Sequence, residues 1–256
     1  MGRIICIHSQ KGGVGKTTTA LNLAAAMAMA EKETLLIDCD PLAHATTGMG
    51  INKRGLSFSL YHALVRNIPP KDIIQKSELA YLDVMPARFE LCRAETELLR
   101  NATQGFLLRK LIEELEAVYD YIIIDSPPAL NLLTINAVNA SDFVLIPLQS
   151  EYYALEGLYD QLKVIQALKH RLNPEIRIGG VVLTMYDPAA DSAQQIATEV
   201  GKKFKPWVFQ TKIPRCKYLR DSASEGRLLF CSRIQSPGAQ SYLELARELM
   251  VRISSN

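Results

Sequence analysis

The fold is decided by a stretch near the start of the chain, Ser9-Gln10-Lys11-Gly12-Gly13-Val14-Gly15-Lys16-Thr17-Thr18. An apolar run of β-strand character, residues 3–8, precedes it, and a helical pattern over 17–30 follows it. Glycines let the backbone wrap its N–H groups around a phosphate, and the N-terminus of the helix adds a favourable dipole. The stretch therefore predicts a phosphate-binding loop between a strand and a helix.

The last residues of this loop have predictable chemical roles. Lys16 is placed to reach the β- and γ-phosphates of a nucleotide, and the Thr17 hydroxyl is placed to ligate Mg²⁺. The general pattern G-x-x-x-x-G-K-[ST] is not strictly met, because Gln10 occupies the first glycine position. A chance glycine turn is the alternative, but the preceding strand and the following helix favour the phosphate loop.

Beyond the loop, short β-branched runs alternate with amphipathic helical patterns, and no repeat or linker-like stretch interrupts them. This alternation predicts an α/β fold with one doubly wound, mostly parallel sheet flanked by helices, in a single domain over 1–256. The least regular part is 40–86. The predicted strands are 3–8, 34–38, 121–125, 143–147 and 178–184, and the predicted helices are 17–30, 91–100, 106–119, 153–171, 192–204 and 239–253.

Length and composition bound the class of protein. The chain has 256 residues, of which 48% are hydrophobic and 22% charged, so disordered and collagen-like chains are excluded. No apolar run approaches the ~18 residues that span a bilayer, and the N-terminus lacks a signal peptide, so we expect a cytoplasmic protein. The five cysteines are widely spaced and never form C-x-x-C, which predicts buried or inert thiols. They are Cys6, Cys39, Cys92, Cys216 and Cys231.

The net charge of +2 hides an uneven distribution. The segment 202–233 contains nine Lys/Arg and two Asp/Glu, so the rest of the chain is acidic. Such an asymmetry predicts a face that binds a polyanion, although a solvated basic surface remains the alternative. The nine residues are Lys202, Lys203, Lys205, Lys212, Arg215, Lys217, Arg220, Arg227 and Arg233.

Carboxylates end two of the predicted strands. Asp38 and Asp40 follow the second strand, and Asp125 ends another apolar strand. Open α/β sheets bind ligands beyond the carboxyl ends of their strands, where Asp125 would hold Mg²⁺ directly or through water. Aspartates also cap turns, but acids at two strand ends in a chain with a phosphate loop favour metal and water roles.

The stretch from Lys11 to Thr18 resembles the deviant Walker A motif of the ParA/Soj/MinD ATPases, whose first lysine is the signature. The resemblance continues through 36–41 (LIDCDP), 124–128 (IDSPP) and 213–215 (IPR), and covers nearly the whole chain. Segment 127–137 is similar to switch II of that family. The chain is thus similar to a ParA/Soj partition ATPase of the short form, with no DNA-binding domain before the first strand.

The resemblance implies a Mg²⁺-dependent ATP hydrolase of weak intrinsic activity that forms a homodimer in the ATP state. Lys11 would cross the dimer interface to the partner's phosphates. Asp40 would be the switch I acid that orients the attacking water, and Asp38 would hold this loop and the Mg²⁺ water shell. Pro214 and Arg215 would contact adenine. The implied cofactors are ATP or ADP and Mg²⁺.

The implied function is the partition or positioning of a chromosome or plasmid. The ATP dimer would bind DNA nonspecifically through segment 202–233, associate with the nucleoid, and be released by a ParB-like partner. The chain departs from the family at Leu42 and His44 in switch I. It also lacks the arginine that family members commonly carry shortly after Asp187. Residues 184–187 resemble the T-x-Y-D stretch of the family, which has no assigned role.

Other members of the wider superfamily give alternative interpretations. A MinD-like membrane switch needs a terminal amphipathic helix. The apolar positions over 242–253 are more typical of a helix that docks on the sheet, so no stable membrane anchor is expected. Iron proteins of the nitrogenase type need bridging cysteines, and none occurs from Arg93 to Arg215. Tyrosine kinases of this superfamily carry a tyrosine-rich tail, whereas this chain ends in Ser-Ser-Asn. A ligase of the dethiobiotin synthetase type stays possible on fold alone.

Overall fold

The computed structural model describes residues 2–98, 104–151 and 154–254. The eight strands found there form one sheet in the order β3-β4-β2-β5-β1-β6-β7-β8. Every neighbouring pair is parallel except β3 with β4, which confirms the predicted mostly parallel sheet. The strands are β1 (Arg3–Ile7), β2 (Thr34–Asp38), β3 (Gln75–Lys76), β4 (Leu82–Met85), β5 (Tyr121–Asp125), β6 (Phe143–Gln149), β7 (Arg177–Tyr186) and β8 (Val208–Pro214).

Helices cover both faces of this sheet, as predicted for a doubly wound fold. Short 3₁₀ turns at Lys53–Gly55, Pro70–Asp72, Phe89–Leu91 and Gln104–Phe106 interrupt the connections between them. The α-helices of the described residues are α1 (Lys16–Met29), α2 (His44–Gly48), α3 (Leu60–Arg66), α4 (Cys92–Leu98), α5 (Leu107–Glu113), α6 (Leu132–Asn139), α7 (Ala154–Arg171), α8 (Asp191–Lys203), α9 (Lys217–Glu225), α10 (Leu229–Ser232) and α11 (Pro237–Ser254).

Most predicted elements are present, with boundaries that differ by a few residues. The helix predicted over 106–119 ends earlier, at Glu113, because tighter bonds such as Leu115 N–H to the Ile112 carbonyl (2.7 Å) replace the helical pattern. Positions 99, 100 and 153 of two predicted helices lie outside the described residues. The helix expected over 239–253 does dock on the sheet, since α11 packs against α1 and β8 with Tyr242 and Leu249 buried.

The sheet buries side chains on both faces, which explains its continuous apolar strands. Along β1, Ile4 and Cys6 pack into the layer that contains α3 to α8. Ile5 and Ile7 point to the opposite layer, which contains α1 and α11. The two layers hold the central strands β2, β5 and β1 in fixed register, so the loops at their carboxyl ends have a rigid base.

Three of the sequence motifs meet at that carboxyl edge. Asp38, the last residue of β2, is in register with Asp125, the last residue of β5, and Asp125 is in register with Ile7 of β1. The phosphate loop follows β1 directly. The topology therefore places both acids beside the glycine-rich loop.

Candidate nucleotide-binding site

The glycine-rich loop has a backbone that only small residues adopt easily. Gly13 and Gly15 have φ angles of +76° and +89°, in the left-handed region that disfavours residues with a Cβ. Gly15 is also the N-cap of α1, and no side chain among the described residues caps the first turn. An anion at the helix N-terminus would therefore satisfy the first N–H groups of α1.

Lys16 lies inside this loop. Its side chain is buried, and its Nζ donates to the Lys11 carbonyl at 3.1 Å. Burial lowers the pKa of Lys16, while the nearby carboxylates of Asp125 and Asp40 act in the opposite direction. The ammonium is thus held between the loop and the acids. A bound phosphate would add a negative charge beside it and so offset the cost of burying the ammonium.

Asp125 is a buried carboxylate without a hydrogen bond. Its side chain is fully buried, and neither oxygen accepts a hydrogen bond from any residue that the structure describes. Burial is the largest cause that raises the pKa of Asp125, and neighbouring Asp38 raises it further. The Thr17 hydroxyl lowers it, although its approach falls short of hydrogen-bond geometry. An ionised carboxylate in this position needs a cation, so Asp125 and Thr17 fit the predicted Mg²⁺ site.

The described part of the chain contains no group of three or more His, Cys, Asp or Glu side chains that could hold a metal ion. Mg²⁺ is commonly bound by one or two carboxylates together with substrate phosphates, rather than by a cage of protein ligands. One buried acid and one hydroxyl beside a phosphate loop match that mode of binding.

Asp38 holds the loop that follows β2. Its Oδ1 accepts the Asp40 N–H at 3.1 Å, and its Oδ2 accepts both the N–H and the hydroxyl of Thr46 at 2.7 Å. The Thr46 hydroxyl in turn accepts the Ala87 N–H at 2.9 Å. Because both carboxylate oxygens are engaged, the geometry matches the loop-holding role and a contact with the Mg²⁺ water shell better than direct ligation.

Asp40 begins the exposed part of the same loop. Its Oδ1 accepts the Leu42 N–H at 2.9 Å, and its side chain is nearly buried. Two of the next four residues are exposed: Leu42 is 56% accessible, and His44 lies on the surface at the start of α2. The acid is therefore close to Lys16, whose pKa it raises, while the unusual Leu42 faces away from the protein.

Lys11 lies on the outside of the phosphate loop. Its Nζ forms an ion pair with Glu151 Oε2 at 2.7 Å, and about half of each side chain is exposed. Lys11 does not line the cavity beside Gly15. The contact with Glu151 could not be predicted from a local pattern, because the two residues are 140 positions apart.

A cavity of about 640 Å³ extends from the phosphate loop toward β8. The predicted adenine-contacting residues Pro214 and Arg215 line it, together with Gly15 and Thr18 of the loop. The Arg215 N–H donates to the Tyr186 carbonyl at 3.1 Å, which fixes the turn after β8. The cavity is large enough for a nucleoside, so the predicted base site and phosphate site are adjacent.

His8 and Ser126 are site neighbours that the sequence analysis did not identify. His8 is fully buried, and its Nδ1 lies 2.8 Å from Ser126 Oγ, which donates to the Ile7 carbonyl at 3.0 Å. Nδ1 therefore carries the proton, and the buried Nε2 has no partner among the described residues. Burial, and then the Lys16 charge, lower the pKa of His8 to about 4.

The predicted basic segment divides between two ends of the sheet. Parallel strands β7 and β8 are joined by α8, so Lys202, Lys203 and Lys205 lie at the amino end of β8. Arg215 and Lys217 follow its carboxyl end, roughly 20 Å away, where both line the base cavity. The nine basic residues therefore do not form one patch in a single subunit.

This fold and this site define a class of protein, the P-loop ATPases with an additional lysine in the loop. A family model described as an AAA domain matches residues 2–178. The chain belongs to the ParA/Soj family of chromosome-partitioning ATPases. It is 48% identical over 252 residues to the chromosome partitioning protein ParA of Myxococcus xanthus, covering 98% of this chain and 89% of that protein. It is 45% identical to the sporulation initiation inhibitor protein Soj of Bacillus subtilis, covering 97% and 98%.

A solved structure supports the same fold. Cobyrinic acid a,c-diamide synthase from Mycobacterium smegmatis, with bound ADP and magnesium, superposes with a TM-score of 0.87 at 29% identity. The match covers all of this chain and 96% of that one. In the described residues, no helix has the length and apolarity to cross a membrane.

Proposed function

We propose that this chain is a nucleotide-driven switch that dimerises around Mg²⁺-ATP, binds DNA nonspecifically as the dimer, and partitions a chromosome or plasmid with a ParB-like partner. The position of Lys11 carries the proposal. Lys11 does not line its own nucleotide cavity and forms a half-exposed ion pair, so it is available to a second subunit. In the ATP dimer, its charge would offset the charge that develops between the β- and γ-phosphates.

The residues of the site support ATP or ADP with Mg²⁺ as cofactors. Backbone N–H groups of the loop would bind the phosphates, Lys16 would contact the β- and γ-phosphates, and Thr17 with Asp125 would hold Mg²⁺. The metal, when bound, neutralises phosphate charge. Structural relatives whose names state bound ADP or an ATP analogue with magnesium support the same cofactors.

Asp40 is the residue proposed to orient the attacking water. Its second carboxylate oxygen is not used by the Leu42 N–H, and Asp38 fixes the start of the loop that carries it. We expect slow hydrolysis by the protein alone, because Lys11 of one subunit forms an ion pair with Glu151 and would act on the phosphates of the partner. A ParB-like partner would accelerate the reaction.

The test of the enzymatic part is Mg²⁺-ATP binding and turnover by three proteins. We expect Lys16→Ala to lose ATP binding, and Asp40→Ala to bind ATP normally but to lose hydrolysis. Lys32 is an exposed lysine three residues after α1, and Lys32→Ala is the matched control that should behave as wild type. Normal binding by Lys16→Ala would contradict the phosphate-loop assignment, and normal turnover by Asp40→Ala would contradict its role.

The DNA-binding and cellular parts of the proposal rest on charge. Lysines that contact backbone phosphates give sequence-independent, salt-sensitive binding. Dimerisation would bring two copies of each basic cluster together, and the dimer would then be cytoplasmic and nucleoid-associated. The identity of the family supports this proposal.

A further inference from the structure

The end of β7 lies between the two halves of the candidate nucleotide site. The Thr184 hydroxyl donates to the Val14 carbonyl of the phosphate loop at 2.8 Å, and both residues are buried. Two residues later, the Tyr186 carbonyl accepts the N–H of Arg215 at 3.1 Å. One strand end thus contacts the phosphate loop on one side and the base-side turn on the other.

The contact with Val14 acts on the peptide that the site uses. The Val14 carbonyl and the Gly15 N–H belong to one planar peptide unit, so fixing the carbonyl also fixes the direction of the N–H. Gly15 has a φ of +89° and no Cβ, and therefore little intrinsic preference for this orientation. The Thr184 hydroxyl supplies a constraint that the glycine itself lacks.

The backbone of β7 is bent where it makes these contacts. Met185 has a φ of +51°, a left-handed conformation that costs a residue with a side chain about 1–2 kcal/mol. The register between β7 and β8 shifts between Leu183 and Tyr186 at this point. Met185 and Thr184 both line the nucleotide cavity, so the bend belongs to the site and not to a distant loop.

We propose that Thr184 is a positioning residue that couples the base-side turn to the phosphate loop through the Val14–Gly15 peptide. This assigns a role to the T-x-Y-D stretch, in which Asp187 accepts the Ala189 N–H at 3.0 Å in a local turn. The inference rests on the proposed nucleotide site. Its consequence is that affinity for nucleotide phosphates depends on the hydrogen bond from the Thr184 hydroxyl to the loop backbone.

The test compares Thr184→Val, which keeps the shape but removes the donor, with Thr184→Ser, which keeps the donor. Binding of Mg²⁺-ADP is measured by titration calorimetry well below the unfolding temperature, next to wild type. We expect Thr184→Val to bind about five- to tenfold more weakly, the effect of one lost buried hydrogen bond. Thr184→Ser should bind within about twofold of wild type. Thr184→Ala replaces the valine variant if that variant does not fold, with the same expected loss.

The outcomes separate this inference from the proposed function. If wild type itself does not bind Mg²⁺-ADP, the nucleotide site is wrong and the inference falls with it. If wild type binds and Thr184→Val binds equally well, even with a lower free energy of unfolding, the hydroxyl has a structural role only and the inference is overturned. A serine variant as weak as the valine variant would also overturn it, because the donor would then not be the cause.

Discussion

At the scale of single residues, the site is built from buried polar groups that are costly in the absence of a ligand. The carboxylate of Asp125 accepts no hydrogen bond from the part of the chain that the structure describes, and Lys16 has a lowered pKa because of burial. Each would be compensated by a bound group of opposite charge: Mg²⁺ for the acid and phosphate for the lysine. The half-exposed ion pair of Lys11 with Glu151 contributes little by comparison, so Lys11 can leave it at low cost.

His8 gives a prediction about stability and pH. Its pKa is about 4 in the folded protein and near 6.5 when unfolded, so only the unfolded chain gains a proton between these values. Stability from this group is therefore present above pH 6.5 and is lost as the pH falls toward 4, by about 3 kcal/mol in total. We therefore expect the free energy of unfolding of wild type to fall more steeply than that of His8→Asn as the pH is lowered.

Urea denaturation at intervals from pH 7.5 to 4.5 measures that difference. The exposed His44→Asn is the matched control, and its curve should follow wild type throughout. The difference between the wild-type and variant curves reports the loss of the titrating group at position 8. Parallel curves for wild type and His8→Asn would show that burial does not hold this imidazole neutral.

At the scale of elements, the sequence predicted the central strands and failed at the edges of the sheet. β4 contains Asp83, which is buried because the Lys76 Nζ and the Tyr119 hydroxyl each donate to it at 2.8 Å. β8 contains Gln210 and Lys212, whose exposure follows from its position at the edge. Neither strand has the continuous apolar run used as the criterion, so tertiary contacts were needed to recognise them.

The candidate site shows the same division. The phosphate loop and the strand-end acids were predictable, because their chemistry requires particular residue types at fixed local spacing. The contacts of His8 with Ser126, Lys11 with Glu151, and Thr184 with Val14 join residues more than 100 positions apart. Such contacts depend on the packing of the sheet and leave no local pattern.

The end of α8 gives a prediction about DNA. Lys202, Lys203 and Lys205 are exposed and lie roughly a strand length from the base cavity, so their removal should leave ATP binding intact. We expect the triple alanine variant, in its ATP state, to bind nonspecific duplex more weakly. The ATP dimer loses six lysines in this variant, so the slope of log affinity against log salt concentration should also be shallower, by up to about five units.

Fluorescence anisotropy across a salt series measures both quantities. A triple alanine variant at Lys32, Lys71 and Lys163 removes the same charge from exposed positions outside the segment and serves as the control. Equal affinity and slope for wild type and the α8 variant would exclude this cluster from the DNA interface. Equal losses for both triple variants would show that only net charge matters.

At the scale of the whole molecule, one subunit of the proposed switch has a site that is complete for binding and incomplete for catalysis. The carboxyl edge of the sheet gathers the phosphate loop, Asp40 and Asp125, while Lys11 faces outward. A homodimer around ATP would complete the site with the partner's lysine. The same assembly would double each basic cluster, so nucleotide state would control DNA binding.

Sedimentation velocity with and without Mg²⁺-ATP tests this central claim most directly. In an Asp40→Ala background that prevents turnover, the account predicts a dimer with ATP and a monomer without it. Adding Lys11→Ala should return the protein to a monomer while ATP still binds, whereas adding Lys32→Ala should leave the dimer intact. A Lys11→Ala protein that still dimerises fully with ATP would contradict the account.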